Sequence, residues 1–175
     1  ESPICGRCRN LKHYFNKNIS LFKYNDESKN VALNLKYKNY SFIRPIAGLL
    51  GDKIKQNVQI DAVTFVPMYK EEELKKGICI TYFLAKYTAE KINVPCKEYL
   101  IQKRRTAKQK ELTANQRIIN VHGAYESSGD VKGKRILIID DVFTTGATLN
   151  ECSKVLIKSG AKDVYTATIA IRTKE

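Results

Sequence analysis

The chain has 175 residues and a 43% hydrophobic content, which is enough for one globular domain with its own apolar core. Its 31 basic residues exceed the 18 acidic ones, and the formal net charge of +13 favours an anionic partner, although lysine also serves solubility. No apolar run reaches the roughly 20 residues that a membrane span needs, so we expect no membrane insertion.

The predicted elements alternate between strands and helices over most of the chain. Apolar runs indicate strands at Leu21–Tyr24, Ile60–Val66, Glu98–Ile101, Lys134–Ile139 and Val164–Ile171. Apolar residues at helical spacing indicate helices at Asp26–Lys36, Phe42–Gln56, Gly77–Ile92 and Ala147–Ser159. Residues 1–18 and 102–117 show no clear period. The alternation after residue 58 predicts an α/β fold, with a mainly parallel sheet and helices on both faces.

One loop combines the groups that a phosphorylated sugar requires. The strand at Lys134–Ile139 ends at two adjacent carboxylates, Asp140 and Asp141, and the segment Thr-Thr-Gly-Ala-Thr at 144–148 then leads into a helix. Backbone N–H groups at a helix start bind phosphate, and threonine hydroxyls donate further hydrogen bonds. Carboxylates would repel the phosphate, but they accept hydrogen bonds from sugar hydroxyls or hold a cation through water. The loop therefore predicts a site for a 5′-phosphorylated ribose.

Two other phosphate-related motifs do not fit. Residues 129–135 superficially resemble a P-loop, but three residues rather than four separate Gly129 from Gly133, and no Ser or Thr follows Lys134. A receiver domain also has paired aspartates after an apolar strand, but near its start, whereas here only 34 residues follow Asp141.

Residues 136–149 resemble the phosphoribosyl pyrophosphate (PRPP) signature of the type I phosphoribosyltransferases over its whole length. The resemblance implies that Asp140 and Asp141 bind the ribose hydroxyls. It implies that the 5′-phosphate is bound by Thr144, Thr145, Gly146, Ala147 and Thr148. It also implies a type I phosphoribosyltransferase-like fold that binds PRPP with Mg²⁺, transfers the phosphoribosyl group to a nitrogen nucleophile and releases pyrophosphate.

Shorter motifs, in the right order over nearly the whole chain, resemble the ComF-type competence proteins. These motifs are Phe22-Lys23-Tyr24, Leu35-Lys36-Tyr37-Lys38, Val66-Pro67-Met68, Arg105-Thr106 with Gln109, and Arg117 with Asn120. ComF-type proteins look like phosphoribosyltransferases that carry an N-terminal zinc ribbon. The resemblance implies a partial zinc-ribbon-like segment at 1–18 and a phosphoribosyltransferase domain at 19–175, with a hood-like part at about 19–56 and a core at about 57–175.

The same resemblance implies two more regions near the substrate. A pyrophosphate loop would be formed by Pro67, Met68, Tyr69 and Lys70, and the alternative reading is a plain strand-to-helix turn. A flexible lid over the site would carry Lys103, Arg104, Arg105 and Lys108. For this basic stretch the alternatives are a solvated charged loop and a track for a DNA backbone.

Cys5 and Cys8 have the spacing of half a structural zinc site, which needs four ligands. His13 is a candidate third ligand, and the ribbon of the resembled family has further cysteines upstream. The chain does not start with Met, so we expect a fragment or a processed product. The alternative to a zinc site is that Cys5 and Cys8 form an exposed, reduced pair. We expect Cys79, Cys96 and Cys152 in the core, and an odd cysteine count at irregular spacing predicts a reducing, cytoplasmic location.

Two departures from the resembled family bear on catalysis. Glu71-Glu72-Glu73 stand where many relatives have basic residues, and Gly77-Ile78-Cys79-Ile80 stands where Gly-aromatic-Asn-Gln is common. Two hypotheses about function therefore stay open. The first is a ComF-like enzyme, linked to DNA uptake or nucleotide metabolism, that uses PRPP and Mg²⁺ on an unidentified nitrogen acceptor. The second is a non-catalytic competence protein that binds single-stranded DNA through its basic surface and keeps a regulatory or vestigial PRPP pocket. The expected protein partners are a second copy of the chain or the competence machinery.

Overall fold

The computed structural model describes residues 12–25, 40–71, 79–107 and 113–172. The strands in these ranges are β1 (Lys17–Lys23), β2 (Ala62–Phe65), β3 (Leu100–Gln102), β4 (Tyr125–Ser127), β5 (Arg135–Phe143) and β6 (Asp163–Ile171). The helices are α1 (Ile43–Lys55), α2 (Ile80–Ile92), α3 (Ala114–Val121) and α4 (Ala147–Lys158), and a 3₁₀ turn at Tyr40–Phe42 precedes α1. Within the described ranges, no helix is long and apolar enough to cross a membrane.

The main sheet is fully parallel, with the strand order β1-β6-β5-β2. On the outer side of β2, Val63 N donates to Pro95 O and Lys97 N donates to Val63 O, both at 2.9 Å, so a short stretch around Cys96 extends the sheet. β3 and β4 form a separate antiparallel pair. Because the four main strands are parallel, their carboxyl ends share one edge, which is where ligands bind in sheets of this kind.

Helices cover both faces of this sheet. Side chains of α1 and α2 pack with Leu137 and Ile139 of β5, whereas side chains of α4 pack with Ile136 and Ile138 on the opposite face. All four of these β5 residues are fully buried. A strand covered on both faces must be apolar at consecutive positions, which explains the unbroken run of aliphatic residues in β5. The predicted α/β fold with helices on both faces is confirmed.

Several predicted element boundaries are wrong, and two short elements were missed. β1 begins at Lys17 rather than at Leu21, and β5 continues to Phe143 rather than ending at Ile139. In both cases backbone pairing with β6 extends a strand through polar residues, which have low strand propensity. β2 and β3 begin later than predicted, and no periodicity in the sequence indicated α3 or β4. The predicted helix at 26–36 lies outside the described residues.

The α1–α2 pair is closely packed around Gly51. A Cβ atom at this position would lie 2.5 Å from Lys91 Cγ and 2.9 Å from Lys91 Cβ. Next to this contact, Lys91 Nζ lies 3.0 Å from Asp52 Oδ1. The Arg44 guanidinium lies 4.3 Å from the centroid of the Tyr87 ring. The glycine therefore sets the distance between the two helices.

Candidate functional site

The acidic pair lies within β5, at the carboxyl edge of the sheet, and both side chains are half-buried. Asp140 Oδ1 accepts a hydrogen bond from Asp141 N, and Asp141 Oδ1 accepts one from Val142 N, both at 2.8 Å. Asp140 pairs in register with Thr168 of β6. The backbone on both sides of the carboxylates is thus fixed by the sheet. This corrects the prediction that the strand ends before them.

Asp140 lies close to two buried polar groups, Tyr125 of β4 and Cys152 of α4. Burial is the largest cause that raises the pKa of the Tyr125 hydroxyl, and the negative charge of Asp140 raises it further. Burial and the Asp140 charge likewise raise the pKa of the Cys152 thiol. Both groups therefore stay protonated next to the carboxylate. Sequence reasoning missed Tyr125, since the three-residue strand β4 is too short to show a period.

The segment 144–148 forms the turn into α4. Gly146 is the residue before the helix and has φ 73°, a left-handed conformation that favours glycine. A Cβ atom on Gly146 would lie 2.5 Å from Cζ of the Phe143 ring. Thr145 Oγ1 accepts from Ala147 N at 3.3 Å, and Asn150 N donates to Gly146 O at 2.8 Å, which begins the helix. The predicted phosphate segment therefore lies at a helix N-terminus, where backbone N–H groups can bind an anion.

The predicted pyrophosphate loop follows the neighbouring strand. Val66 N donates to Ile139 O at 2.9 Å, so residues 67–70 leave the sheet next to the acidic pair. Adjacent strands lie about 4.8 Å apart, which is within the reach of one diphosphate group. Thr81 Oγ1 donates to Val66 O at 3.0 Å and lies 3.2 Å from Cys79 Sγ, so the start of α2 is bound to this loop. Lys70 and Glu71 are both exposed.

The described part of the predicted lid, 103–107, is bound to the end of α3. Arg104 Nη2 donates to Asn120 O at 3.0 Å and to His122 O at 2.7 Å. Asn120 exchanges two further hydrogen bonds with the backbone of Ala107. Lys103 Nζ lies 3.2 Å from Glu126 Oε2. Arg105 is exposed, and Lys108 lies outside the described residues. Closure of this segment over the site stays a prediction.

The candidate zinc ligands Cys5 and Cys8 also lie outside the described residues, so the zinc site stays a prediction. His13 is half-buried, and its ring centroid lies 5.0 Å from that of Phe15. Over the described ranges, no cluster of three or more His, Cys, Asp or Glu residues could hold a metal ion. Cys79 and Cys152 are buried as predicted, but Cys96 is half-buried. Burial nevertheless raises the pKa of the Cys96 thiol to about 11.

The fold and the loops at its carboxyl edge define a phosphoribosyltransferase-like protein. A family model described as the phosphoribosyl transferase domain matches residues 74–175, and the chain belongs to this family.

Competence protein F of Haemophilus influenzae is 26% identical over 171 residues, which cover 91% of this chain and 75% of that protein. The DNA utilization protein YhgH of Salmonella typhi is also 26% identical over 171 residues, or 91% of this chain and 74% of the relative. Competence protein ComFC of Streptococcus pneumoniae is 27% identical over 150 residues, or 84% of this chain and 64% of that protein. The resemblance to ComF-type proteins is therefore confirmed.

Solved structures show the same fold. The glutamine PRPP amidotransferase from B. subtilis, complexed with ADP and GMP, superposes with a TM-score of 0.53 at 23% sequence identity. The match covers 74% of this chain but 26% of the amidotransferase, so this chain corresponds to about a quarter of that enzyme. The predicted type I phosphoribosyltransferase-like fold is confirmed.

Proposed function

We propose that this protein binds PRPP together with Mg²⁺ at the carboxyl edge of its sheet and transfers the phosphoribosyl group to a nitrogen acceptor. The observation that carries the proposal is the convergence of three groups on adjacent strands. The acidic pair lies on β5, the helix-start segment 144–148 follows it, and the loop 67–70 leaves β2 next to it. PRPP carries a sugar diol, a 5′-phosphate and a pyrophosphate, which need these three kinds of partner.

Each group has a distinct role in this proposal. Asp140 and Asp141 accept hydrogen bonds from the ribose hydroxyls and stabilise the positive charge that develops on the ribose as pyrophosphate departs. Backbone N–H groups and hydroxyls of 144–148 hold the 5′-phosphate. Backbone N–H groups of 67–70 and the Lys70 ammonium receive the charge of the leaving pyrophosphate.

The donor set is compatible with Mg²⁺, because the half-buried carboxylates and the substrate phosphates offer the hard oxygen ligands that this ion prefers. When bound, Mg²⁺ would neutralise part of the negative charge on the pyrophosphate. Glu71, which follows the pyrophosphate loop, is exposed to solvent. This first carboxylate of the Glu71-Glu72-Glu73 run therefore does not argue against an anionic substrate.

The test is a calorimetric titration of PRPP into the protein with and without Mg²⁺. We expect saturable, Mg²⁺-dependent binding in the wild type. Asp140→Asn should weaken it about 10- to 100-fold, because hydrogen bonds to a charged group contribute about 1.5–3 kcal/mol. Asp130→Asn is the matched control, since Asp130 is exposed, precedes β5 and pairs with Lys134 Nζ at 3.0 Å. Wild-type affinity in Asp140→Asn would refute the proposed site.

A second candidate function is the binding of single-stranded DNA, and a lysine cluster at the opposite edge of the sheet favours it. Two turns meet there: Gly133 N donates to Gly160 O at 2.8 Å, and Lys162 N donates to Lys134 O at 2.9 Å. The cluster consists of Lys132, Lys134, Lys158 and Lys162. Among these lysines, Lys134 is paired with Asp130. A phosphate backbone would bind such a surface in a salt-dependent manner.

Because this cluster lies at the amino ends of the strands, DNA and PRPP should bind without competition. The double variant Lys132→Glu/Lys162→Glu should weaken DNA binding and reduce the slope of log affinity against log salt. The control is Lys86→Glu/Lys97→Glu, which changes the net charge equally at exposed positions elsewhere. DNA binding that is absent, insensitive to salt, or equally weakened in both variants would exclude this function for the cluster.

A further inference from the structure

The residues that precede β1 lie against the predicted phosphate loop. We call residues 12–16 the N-terminal anchor. The side chain of Asn150, in the first turn of α4, makes two hydrogen bonds to the backbone of the anchor. Asn150 Oδ1 accepts from Tyr14 N at 2.8 Å, and Asn150 Nδ2 donates to Lys12 O at 3.0 Å. Asn150 N also donates to Gly146 O at 2.8 Å. One residue therefore joins the anchor to the backbone of the loop.

The other end of the loop is in contact with the same anchor. The Phe15 ring meets the Phe143 ring edge to face, with 6.0 Å between the centroids. The Phe143 ring also lies directly against Gly146, where a Cβ atom would be 2.5 Å from Cζ. Phe143 is 7% exposed, so its ring has little freedom to move. The N-terminal anchor thus contacts the residue before the loop, Phe143, and the residue that closes its first helical turn, Asn150.

We propose that the N-terminal anchor stabilises the conformation of the phosphate site, and that Asn150 is a positioning residue for the 5′-phosphate. Asn150 acts by holding residues 144–149 in the conformation in which their N–H groups converge. The part of this proposal that concerns phosphate rests on the proposed function, whereas the part that concerns the loop conformation does not. Preorganised donors bind an anion more tightly because they need no ordering when the ligand arrives.

The chain offers a control that separates this role from general stability. Asn16 joins the same anchor to the opposite edge of the sheet: its Nδ2 donates to Asp163 Oδ1 at 3.0 Å, and its Oδ1 accepts from Val164 N at 3.2 Å. Asn16→Ala and Asn150→Ala therefore each remove two side-chain hydrogen bonds of the anchor. Alanine is a good helix former, so Asn150→Ala leaves the propensity of α4 intact.

The first measurement is amide hydrogen exchange of the whole chain, without ligand. We expect Asn150→Ala to lower the protection of the amides at positions 147 and 150, which donate to Thr145 Oγ1 and Gly146 O, whereas Asn16→Ala lowers the protection of the Val164 amide. Equal protection of the amides at 147 and 150 in Asn150→Ala and in the wild type would overturn the proposal. So would the same loss of protection in both variants.

The second measurement divides the substrate into its parts. Ribose 5-phosphate tests the phosphate loop, and Mg²⁺-pyrophosphate tests the loop at 67–70. Asn150→Ala should weaken the binding of ribose 5-phosphate about five- to tenfold, because a loop that is no longer held must be ordered when the ligand binds, and leave pyrophosphate binding unchanged. Equal weakening of both ligands would indicate a merely structural role and overturn the positioning of the phosphate. If the wild type binds neither ligand, the proposed function fails, and hydrogen exchange still decides whether the anchor fixes the loop.

Discussion

Gly146→Ala should be among the most damaging small substitutions in this protein. Its φ of 73° places alanine in the left-handed region, which costs about 1–2 kcal/mol. The added Cβ would lie 2.5 Å from Phe143 Cζ and 3.1 Å from both Cε atoms, and the ring also packs against Phe15. Relieving such a collision in a packed core costs about 1–3 kcal/mol more. We therefore expect a total loss of about 2–5 kcal/mol in the free energy of unfolding.

The assay is urea denaturation of the purified variants, supported by thermal scans. In a chain of this size the loss corresponds to a decrease in Tm of roughly 4–20 °C. Gly133→Ala is the matched control, because Gly133 has φ 71° and nothing lies within 4 Å of an added Cβ atom. It should show the backbone cost alone. The additional change Phe143→Leu should recover part of the loss in Gly146→Ala. If Gly146→Ala and Gly133→Ala differed by less than about 0.5 kcal/mol, within ordinary surface-mutation effects, the proposed contact with Phe143 would be refuted.

Three further predictions concern residues away from the loop. Gly51→Ala should lower the free energy of unfolding by about 1–3 kcal/mol, because the added methyl group would collide with Lys91. Gly48→Ala, where an added methyl group meets open space, should be neutral or stabilising. Equal stability of these two variants in urea denaturation would contradict the close contact between Gly51 and Lys91. Hydrogen bonds from Arg135 lower the pKa of Asp61 from 3.8 to about 2. The wild type should therefore be more stable than Asp61→Asn above about pH 4, and this difference should vanish toward pH 2. A difference in denaturation midpoint that stays constant over this pH range would disprove the ion pair's contribution. Because burial raises the pKa of Cys96 from 9.0 to about 11, its labelling by a thiol reagent, in a variant without Cys5 and Cys8, should accelerate about tenfold per pH unit from pH 8 to 10. A rate that levels off between pH 9 and 10, as for an ordinary thiol, would be inconsistent with this.

The central strand and the loop after it were predictable from the sequence, because local pattern and chemistry agree there. The aliphatic run at Lys134–Ile139 indicates a buried strand, and the acidic pair, threonines and glycine that follow predict a loop that leads into a helix. The end of this strand was not predictable. Asp140 and Val142 lie in β5 because they pair with Thr168 and Ala170 of β6, which are distant in sequence. Long-range backbone pairing thus overrides the low strand propensity of aspartate.

The start of β1 was also not predictable from the local sequence. Lys17 and Asn18 read as irregular, yet they form the start of an edge strand by pairing with Tyr165 and Thr166. No periodicity in a short polar segment could indicate this pairing, because the partner strand supplies the hydrogen bonds.

The sequence by itself determined the class of the fold, the family and the position of the candidate phosphate loop at the start of a helix, since these depend on consecutive residues whose chemistry is local. The tertiary structure decided which distant residues support that loop. Phe15 reaches Phe143, and Asn150 reaches Tyr14, across more than 120 positions of the chain. Tyr125 comes to lie near Asp140 through the packing of β4 on α4. Such neighbours follow from the order of strands in the sheet and from the helices packed on it, which no local pattern encodes.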